Sequence, residues 1–310
     1  MKVLHVGDTA GVPVVLREID RRNCDKSDIV ITCGNKLNYP VDFKFLLQGK
    51  NFGSVKNMFK YLWLCPKYDR IHFHKKTIFN GLDIALFKLL GKEIVIHYHG
   101  SDARGKQLPW YNGLADIIYV STPDLLKYVP NATWLPNVAI DWELPWKERE
   151  AYSEHKFRIL HCPTNPEIKG TKYIEEAITE LKEKYDFEYE TITGQPHEEI
   201  LLEMAKCDLY IDQLRIGYYG VSAMECAAMG VPVVCYVKKQ FESPFINVSV
   251  CGWDGIYNIL EFILENKWTL PMIQEREKKY YEKCKRVLEK TYTEDKSNSK
   301  FSQKTNKKRN

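Results

Sequence analysis

Short apolar runs alternate with helix-length amphipathic segments from the start of the chain. The runs at 3–6, 29–32, 43–47, 70–73, 94–97, 117–120 and 132–135 are mostly filled on successive positions rather than on every second one. That is the pattern of strands covered on both faces, and the segments between them are long enough to be the covering helices. A parallel, helix-covered sheet in a Rossmann-like domain is therefore predicted over residues 1–150. The rhythm breaks between 141 and 153, where Trp142, Pro145 and Trp146 stand among closely spaced charges, a linker composition.

It restarts at 157–161 with a strand, a loop to Gly170 and a helix over 171–185. A strand at 189–192, a helix at 197–206 and a strand at 209–212 follow, which predicts a second Rossmann-like domain over 151–272. Residues 273–295 are heavily charged, but Ile273, Tyr280, Cys284, Val287 and Leu288 fall near helical spacing, so a terminal helix with one apolar stripe is expected. Residues 296–310 hold six Lys or Arg, no acid and almost nothing apolar, and read as a disordered basic extension.

A length of 310 residues suits two domains with a core each. The formal charge is +4, yet without the six cations of 296–310 there remain 39 basic against 41 acidic residues. A neutral body of this kind argues against a nucleic-acid partner. Nine cysteines without a Cys-x-x-Cys pair, several inside apolar runs, read as small buried hydrophobes in a reducing compartment. No apolar run reaches the ~20 residues of a membrane span, and the charged opening does not fit a signal peptide. The expectation is a cytoplasmic protein, at most peripheral to a membrane. Two segments allow such contact: the basic extension, and Lys56, Lys60, Lys67 and Arg70 interleaved with Phe59, Tyr61 and Trp63, for which a plain amphipathic Rossmann helix is the competing reading.

Candidate chemistry concentrates in Asp212-Gln-Leu-Arg-Ile-Gly217-Tyr-Tyr-Gly220-Val221-Ser222-Ala-Met-Glu225, continued by Gly230-Val-Pro-Val-Val234. It reads as strand, glycine loop, helix and second strand. A helix opened by Gly220, Val221 and Ser222 offers backbone N–H groups to a phosphate, and Glu225 one turn on can accept two ribose hydroxyls. The block resembles the nucleotide-sugar site of the retaining family-four glycosyltransferases of the GT-B fold. Their motif has two glutamates separated by seven residues before Gly-x-Pro-Val-Val; Glu225 matches the second, and Gly217 stands in place of the first.

The resemblance implies an α/β GT-B architecture: two Rossmann-like domains facing across a cleft, with the terminal helix packing back on the first. It implies transfer of a sugar, with retention and without a metal or other cofactor, from a UDP- or GDP-type donor to a glycan, lipid-linked or small-molecule acceptor. Lys169-Gly170 resembles the family's diphosphate contact, though the arginine expected about five residues earlier is missing from Pro163-Thr-Asn-Pro166. His99, at the end of a strand in His97-Tyr-His99-Gly100-Ser101-Asp102, is the expected sugar contact, with Arg104 a further candidate for phosphate or an anionic acceptor. Gly11, in the loop after the first strand, resembles a donor-phosphate contact, and Leu135-Pro-Asn137 to Asp141 resembles a segment that serves architecture. Asp212, the acid nearest the vacant glutamate position, is expected to take over its role beside His99.

His72-x-His74 and His97-x-His99 have the alternation of a chelating pair, but no carboxylate or cysteine at ligand spacing accompanies them, so no metal is expected. Two other functions remain open: a nucleotide-sugar epimerase on the same architecture, and a nucleotide-sugar-binding protein that has lost turnover.

Overall fold

A computed structural model describes residues 1–7, 10–34, 38–47, 52–74, 77–138, 155–248 and 252–299. The chain divides into two compact units, residues 1–140 with 285–310, and residues 141–284. The expected boundary near 150 and the linker lie outside the described residues, as does residue 141.

The first unit holds a seven-stranded sheet: β1 (Lys2–Val6), β2 (Lys26–Ile31), β3 (Phe43–Lys44), β4 (Arg70–His74), β5 (Glu93–Tyr98), β6 (Ile117–Val120) and β7 (Thr133–Trp134). All pairs are parallel, in the order β3-β2-β1-β4-β5-β6-β7. Helices α1 (Val12–Asn23), α2 (Phe52–Leu64) and α3 (Leu82–Leu89) connect the early strands. One face of the sheet is apolar, with Leu4, Val6, Ile71, Phe73, Ile94 and Ile96 packed on Tyr61 of α2 and Ile84 and Phe87 of α3.

The opposite face is just as buried but mixed, with His5, Arg70, His72, Glu93 and His97 standing among Val3, Ile29 and Val95. In β4 the sequence Arg-Ile-His-Phe-His sends Arg70, His72 and His74 one way and Ile71 and Phe73 the other. Arg70 pairs in register with Glu93 of β5, and its Nε donates to Glu93 Oε2 at 2.8 Å. Arg70, read from sequence as part of a basic helix surface, is thus fully buried in an ion pair on a strand.

The second unit holds β8 (Arg158–His161), β9 (Glu188–Thr191), β10 (Leu209–Ile211), β11 (Val233–Cys235) and β12 (Ile246–Asn247), parallel in the order β12-β11-β10-β8-β9. Its helices are α4 (Pro166–Lys169), α5 (Thr171–Leu181), α6 (His197–Lys206), α7 (Val221–Ala228), α8 (Trp253–Glu265) and the start of α9 (Leu270–Ser297). Ile159, Leu209, Ile211 and Val234 form its core with Ile174 and Ile178 of α5 and Ile256 and Leu260 of α8.

The strand order reverses between β1 and β4 in the first unit and between β8 and β10 in the second. Loops at such a switch diverge to opposite faces and leave a crevice at the carboxyl ends of the strands, where ligands bind in doubly wound folds. α9 begins before the expected residue 273 and runs past 295. Lys296, expected in a disordered extension, is buried, with Nζ 2.5 Å from Asp20 Oδ1, and Ser299 donates to Glu93 Oε2 at 2.9 Å. Residues 300–310 lie outside the described set. Of the described cysteines, six are buried while Cys24 and Cys33 are half-buried.

Candidate functional site

In the second unit the expected donor residues come from the two strands that flank the switch. Asn165 caps α4 by accepting from the Ile168 N–H at 3.1 Å, and this one-turn helix carries Lys169 out of the loop after β8. Gly170 follows with φ +79°, a left-handed conformation that reverses the chain into α5. From the end of β10, the fully buried Asp212 accepts a hydrogen bond from the Lys169 ammonium and another, at 2.6 Å, from the Gly220 N–H. Lys169, Asp212 and Gly220, the N-cap of α7, therefore form one cluster at the carboxyl ends of β8 and β10.

His161 ties the crevice floor. Its Nδ1–H donates to the Ile211 carbonyl at 2.8 Å, which leaves Nε2 to accept from Thr171 Oγ1 at 2.9 Å. Burial pushes its pKa down to about 4, against the backbone bond that favours the charged form, so the ring is neutral near pH 7.

Gly220, Val221 and Ser222 are half-exposed at the start of α7, whose first turn carries no acid. Glu225, one turn on, is buried and accepts from His197 Nε2 at 2.7 Å. His197 opens α6 after the loop that leaves β9, so a third strand end contributes. The sequence reading missed His197, although Gly194-Gln-Pro-His197 is itself a strand-to-helix turn of the kind that flagged Lys169. It also missed Arg215, whose Nη1 donates to the Glu167 carbonyl at 3.3 Å and so brings a guanidinium to the loop lacking its expected arginine. No spacing rule connects residues 48 positions apart.

The loop at the vacant glutamate position is organised by Gln213. Its fully buried amide donates to the carbonyls of Tyr218 and Tyr236 at 2.7 and 2.8 Å and accepts from the N–H groups of Arg215 and Ile216 at 2.9 and 2.6 Å. Tyr219 reaches Tyr280 of α9, hydroxyl to hydroxyl at 2.8 Å. Gly217 has φ +83°, bridges to Val237, and would place a Cβ 2.7–2.9 Å from the Lys238 side chain. Gly217→Glu, which restores the family's residue, is therefore expected to lower stability by about 2 kcal/mol through left-handed strain and crowding. It should bring no gain in turnover. Urea unfolding and donor turnover check this; a stable variant with raised turnover would contradict it.

In the first unit, His5, His72, His74 and His97 are all at most 1% exposed, while His99 is half-buried. Two groups, His5/His72/His74 and His74/His97/His99, each bring three ring nitrogens within 4.8 Å. The ring geometry nevertheless favours hydrogen bonding. His5 Nδ1 and His74 Nε2 are 3.0 Å apart with centroids at 5.3 Å; His74 Nδ1 and His99 Nε2 are 3.1 Å apart, also with centroids at 5.3 Å. Five-membered rings with bonds of about 1.33 Å carry their nitrogens about 1.1 Å from the centroid, so these separations are reached only when the nitrogens lie on the line of centres. Imidazoles around one tetrahedral ion converge at an angle instead.

Asp20 accepts from His5 Nε2 at 2.8 Å, and its charge is balanced by Lys296. Burial raises the Asp20 pKa, but the His5 hydrogen bond and the Lys296 charge outweigh it and hold the carboxyl below its ordinary range. Burial also holds His72, His74 and His97 well below the usual imidazole value, and any added proton is an unbalanced charge in a closed site. A neutral ring has one N–H. The hydrogen bonds run on from His5 Nδ1 to His74 Nε2, from His74 Nδ1 to His99 Nε2 and from His99 Nδ1 to Ser121 Oγ at 2.8 Å, with the donor at each step set by the ring tautomers. Ser121 in turn lies 3.1 Å from His97 Nε2.

Both ring nitrogens of His99 are thus engaged inside the unit. Asp102 fixes the loop beyond by accepting from the N–H groups of His99 and Gly100 at 2.9 and 2.7 Å. Arg104 is tied to Asp124, Nε to Oδ2 at 2.8 Å. Gly11 caps α1 with φ 70°, its carbonyl accepting from Val14 and Val15.

No protein-family model and no curated protein matches the chain. Solved structures do. Sucrose-phosphate synthase from Thermosynechococcus elongatus superposes with TM-score 0.64 at 12% identity, over 96% of this chain and 100% of that one. An α-glucosyltransferase in complex with UDP and a 13-mer DNA gives 0.59 at 14%, over 94% and 99%. A UDP-GlcNAc 2-epimerase from Neisseria meningitidis bound to UDP-GlcNAc gives 0.56 at 13%, over 88% and 94%. At such identities the likeness is one of fold: the chain has the GT-B fold of two Rossmann-like α/β domains that glycosyltransferases and epimerases share.

Proposed function

We propose that this protein is a glycosyltransferase that moves a sugar from a nucleotide diphosphate sugar to an acceptor hydroxyl. The observation that carries the proposal is the convergence, at the switch point of the second unit, of the Lys169 ammonium, the α7 N-terminus and the buried Glu225 carboxylate. An ammonium has three N–H donors, so Lys169 can keep Asp212 and still meet a phosphate oxygen. The N–H groups of Val221 and Ser222 and the positive end of α7 favour the second phosphate, and Glu225 takes the ribose hydroxyls. The similar structures in complex with UDP or bound to UDP-GlcNAc agree with a uridine donor.

On this reading Lys169 and α7 stabilise the negative charge that grows on the departing diphosphate, the usual largest contribution in such a site. No metal is required for that step, and retention of configuration follows the family resemblance. Asp212 acts mainly by aiming Lys169, since it is enclosed and bonded on both sides. His99 is the sugar-side residue of the first unit. Its Nδ1 can bond a hydroxyl that takes the place of Ser121 Oγ, with Gly11 and Arg104 in neighbouring loops of the same unit.

The test is incubation with UDP- and GDP-sugars. Slow release of nucleoside diphosphate and free sugar without acceptor, accelerated by an acceptor, is the expected result. A new epimer in the recovered donor overturns transfer in favour of epimerisation, and tight binding without turnover overturns catalysis. Thermal shift with UDP, GDP and ADP identifies the base, because stabilisation grows with the logarithm of saturation.

A further inference from the structure

Among the described residues of the first unit, one surface departs from what an enclosed Rossmann helix layer needs. On α2, Val55, Phe59 and Trp63 stand four residues apart and so share one side; Phe59 is 64% and Trp63 71% exposed. The inward side of the same helix buries Tyr61 and Leu64, so the stripe is additional to the core contact. On α3, Leu82, Leu86 and Leu89 form a second exposed stripe, with Leu89 at 85%. The helices are neighbours: the Tyr61 hydroxyl donates to Asp83 Oδ2 at 3.0 Å, and the Tyr61 and Phe87 rings lie 5.9 Å apart. Their far ends are also joined, through Lys92 Nζ to the Pro66 carbonyl at 2.5 Å.

The charge beside these stripes has one sign. From Phe43 to Tyr68 the sequence contains five lysines and no acid. Lys56, Lys60 and Lys67 are exposed beside the α2 stripe. A groove of about 540 Å³ next to Trp63 is lined by Lys2, Lys26, Lys60 and Lys67, and no acidic residue lines it. An apolar stripe with an aromatic anchor, flanked by lysines, is the arrangement of a helix that lies in a membrane interface: the rings enter the headgroup boundary and the ammonium groups remain with anionic phosphates.

We propose that the α2–α3 face of the first unit docks on an anionic lipid surface, with Phe59, Trp63 and Leu89 inserting and Lys56, Lys60 and Lys67 pairing with lipid phosphates. The proposal rests on the sugar-transfer reading only for its purpose, presenting the enzyme to a lipid-borne acceptor; the docking itself is measured without any donor.

The full chain is sedimented with phosphatidylcholine vesicles and with vesicles carrying 30 mol% phosphatidylglycerol. The expected result is partition to the anionic vesicles alone, weakened by 0.5 M salt, with a blue shift of tryptophan emission. Phe59→Ser/Trp63→Ser should weaken partition about tenfold or more and abolish the shift. Lys56→Gln/Lys60→Gln/Lys67→Gln should weaken it about a hundredfold at low salt. Donor turnover in the absence of vesicles should be unchanged in both, which separates docking from misfolding and from failure of the transfer reading. Absence of partition at 1 mM lipid overturns the proposal. So does partition that survives these variants but is lost when the cations of residues 300–310 are neutralised. A dimer that Trp63→Ser converts to monomer also overturns it, since the face then covers a second copy.

Discussion

Lys169→Met is expected to cost about 3–5 kcal/mol of stability, the usual result of removing one partner from a buried ion pair. Asp212 is fully enclosed, and without the ammonium its carboxylate keeps only the Gly220 N–H among the bonds described. The loss arises from the stranded charge rather than from missing packing, because methionine fills nearly the same space as the lysine stem. Asp212→Asn placed on the Lys169→Met background should therefore recover stability, and a double-mutant cycle should give a coupling above about 1 kcal/mol. Urea unfolding with an unchanged m-value is the measurement. A shift of Lys169→Met below 1 kcal/mol would show that Asp212 is not held as a buried anion by Lys169. Nucleoside diphosphate affinity should fall in the same variant, since the ammonium that Asp212 aims is the one proposed to meet phosphate.

Glu225→Ala should raise the donor KM about 100-fold while kcat changes less than threefold. Two hydroxyl bonds to a charged acceptor contribute about 1.5–3 kcal/mol each before competition with water and the existing His197 bond, so a net of about 3 kcal/mol is reasonable. The discriminating measurement compares UDP with its 2′,3′-dideoxy analogue by calorimetry. The unaltered protein should prefer UDP strongly, and Glu225→Ala should bind the two alike. Equal preference in both proteins would remove Glu225 from the ribose. His197→Ala should have a smaller effect, because this ring supports the carboxylate and is not proposed to meet the nucleotide.

The two stretches of sequence that bear these predictions differ in how openly they announced their structure. Lys169-Gly170 and Gly220 to Glu225 were legible because a strand followed by a glycine turn and a helix start is a local pattern, set by backbone conformation and helix-end hydrogen bonding. The parallel sheets were legible for a similar reason: strands covered on both faces must be apolar along successive positions. The strands β4 and β5 were legible in the same way, but the pattern gave no sign of how Arg70, Glu93 and the alternating histidines within them would pair. Arg70 looked like surface charge because its partner, 23 residues away, is brought beside it only by strand register. Lys296 looked like part of a loose extension because the Asp20 that buries it lies at the other end of the chain.

By itself, then, the sequence determined the architecture of two Rossmann-like domains and marked the helix start at which a nucleotide-diphosphate site is proposed, since both follow from short-range periodicity and turn chemistry. Only the tertiary structure decided what those residues do to one another. It closed Asp212 onto Lys169, set His197 against Glu225, and locked Gly217 in a conformation hostile to glutamate. It also threaded a hydrogen-bond chain from Asp20 through His5 and His74 to His99. Each of these depends on contacts between distant segments, whose energies hinge on burial, register and proton position, and no local pattern encodes them.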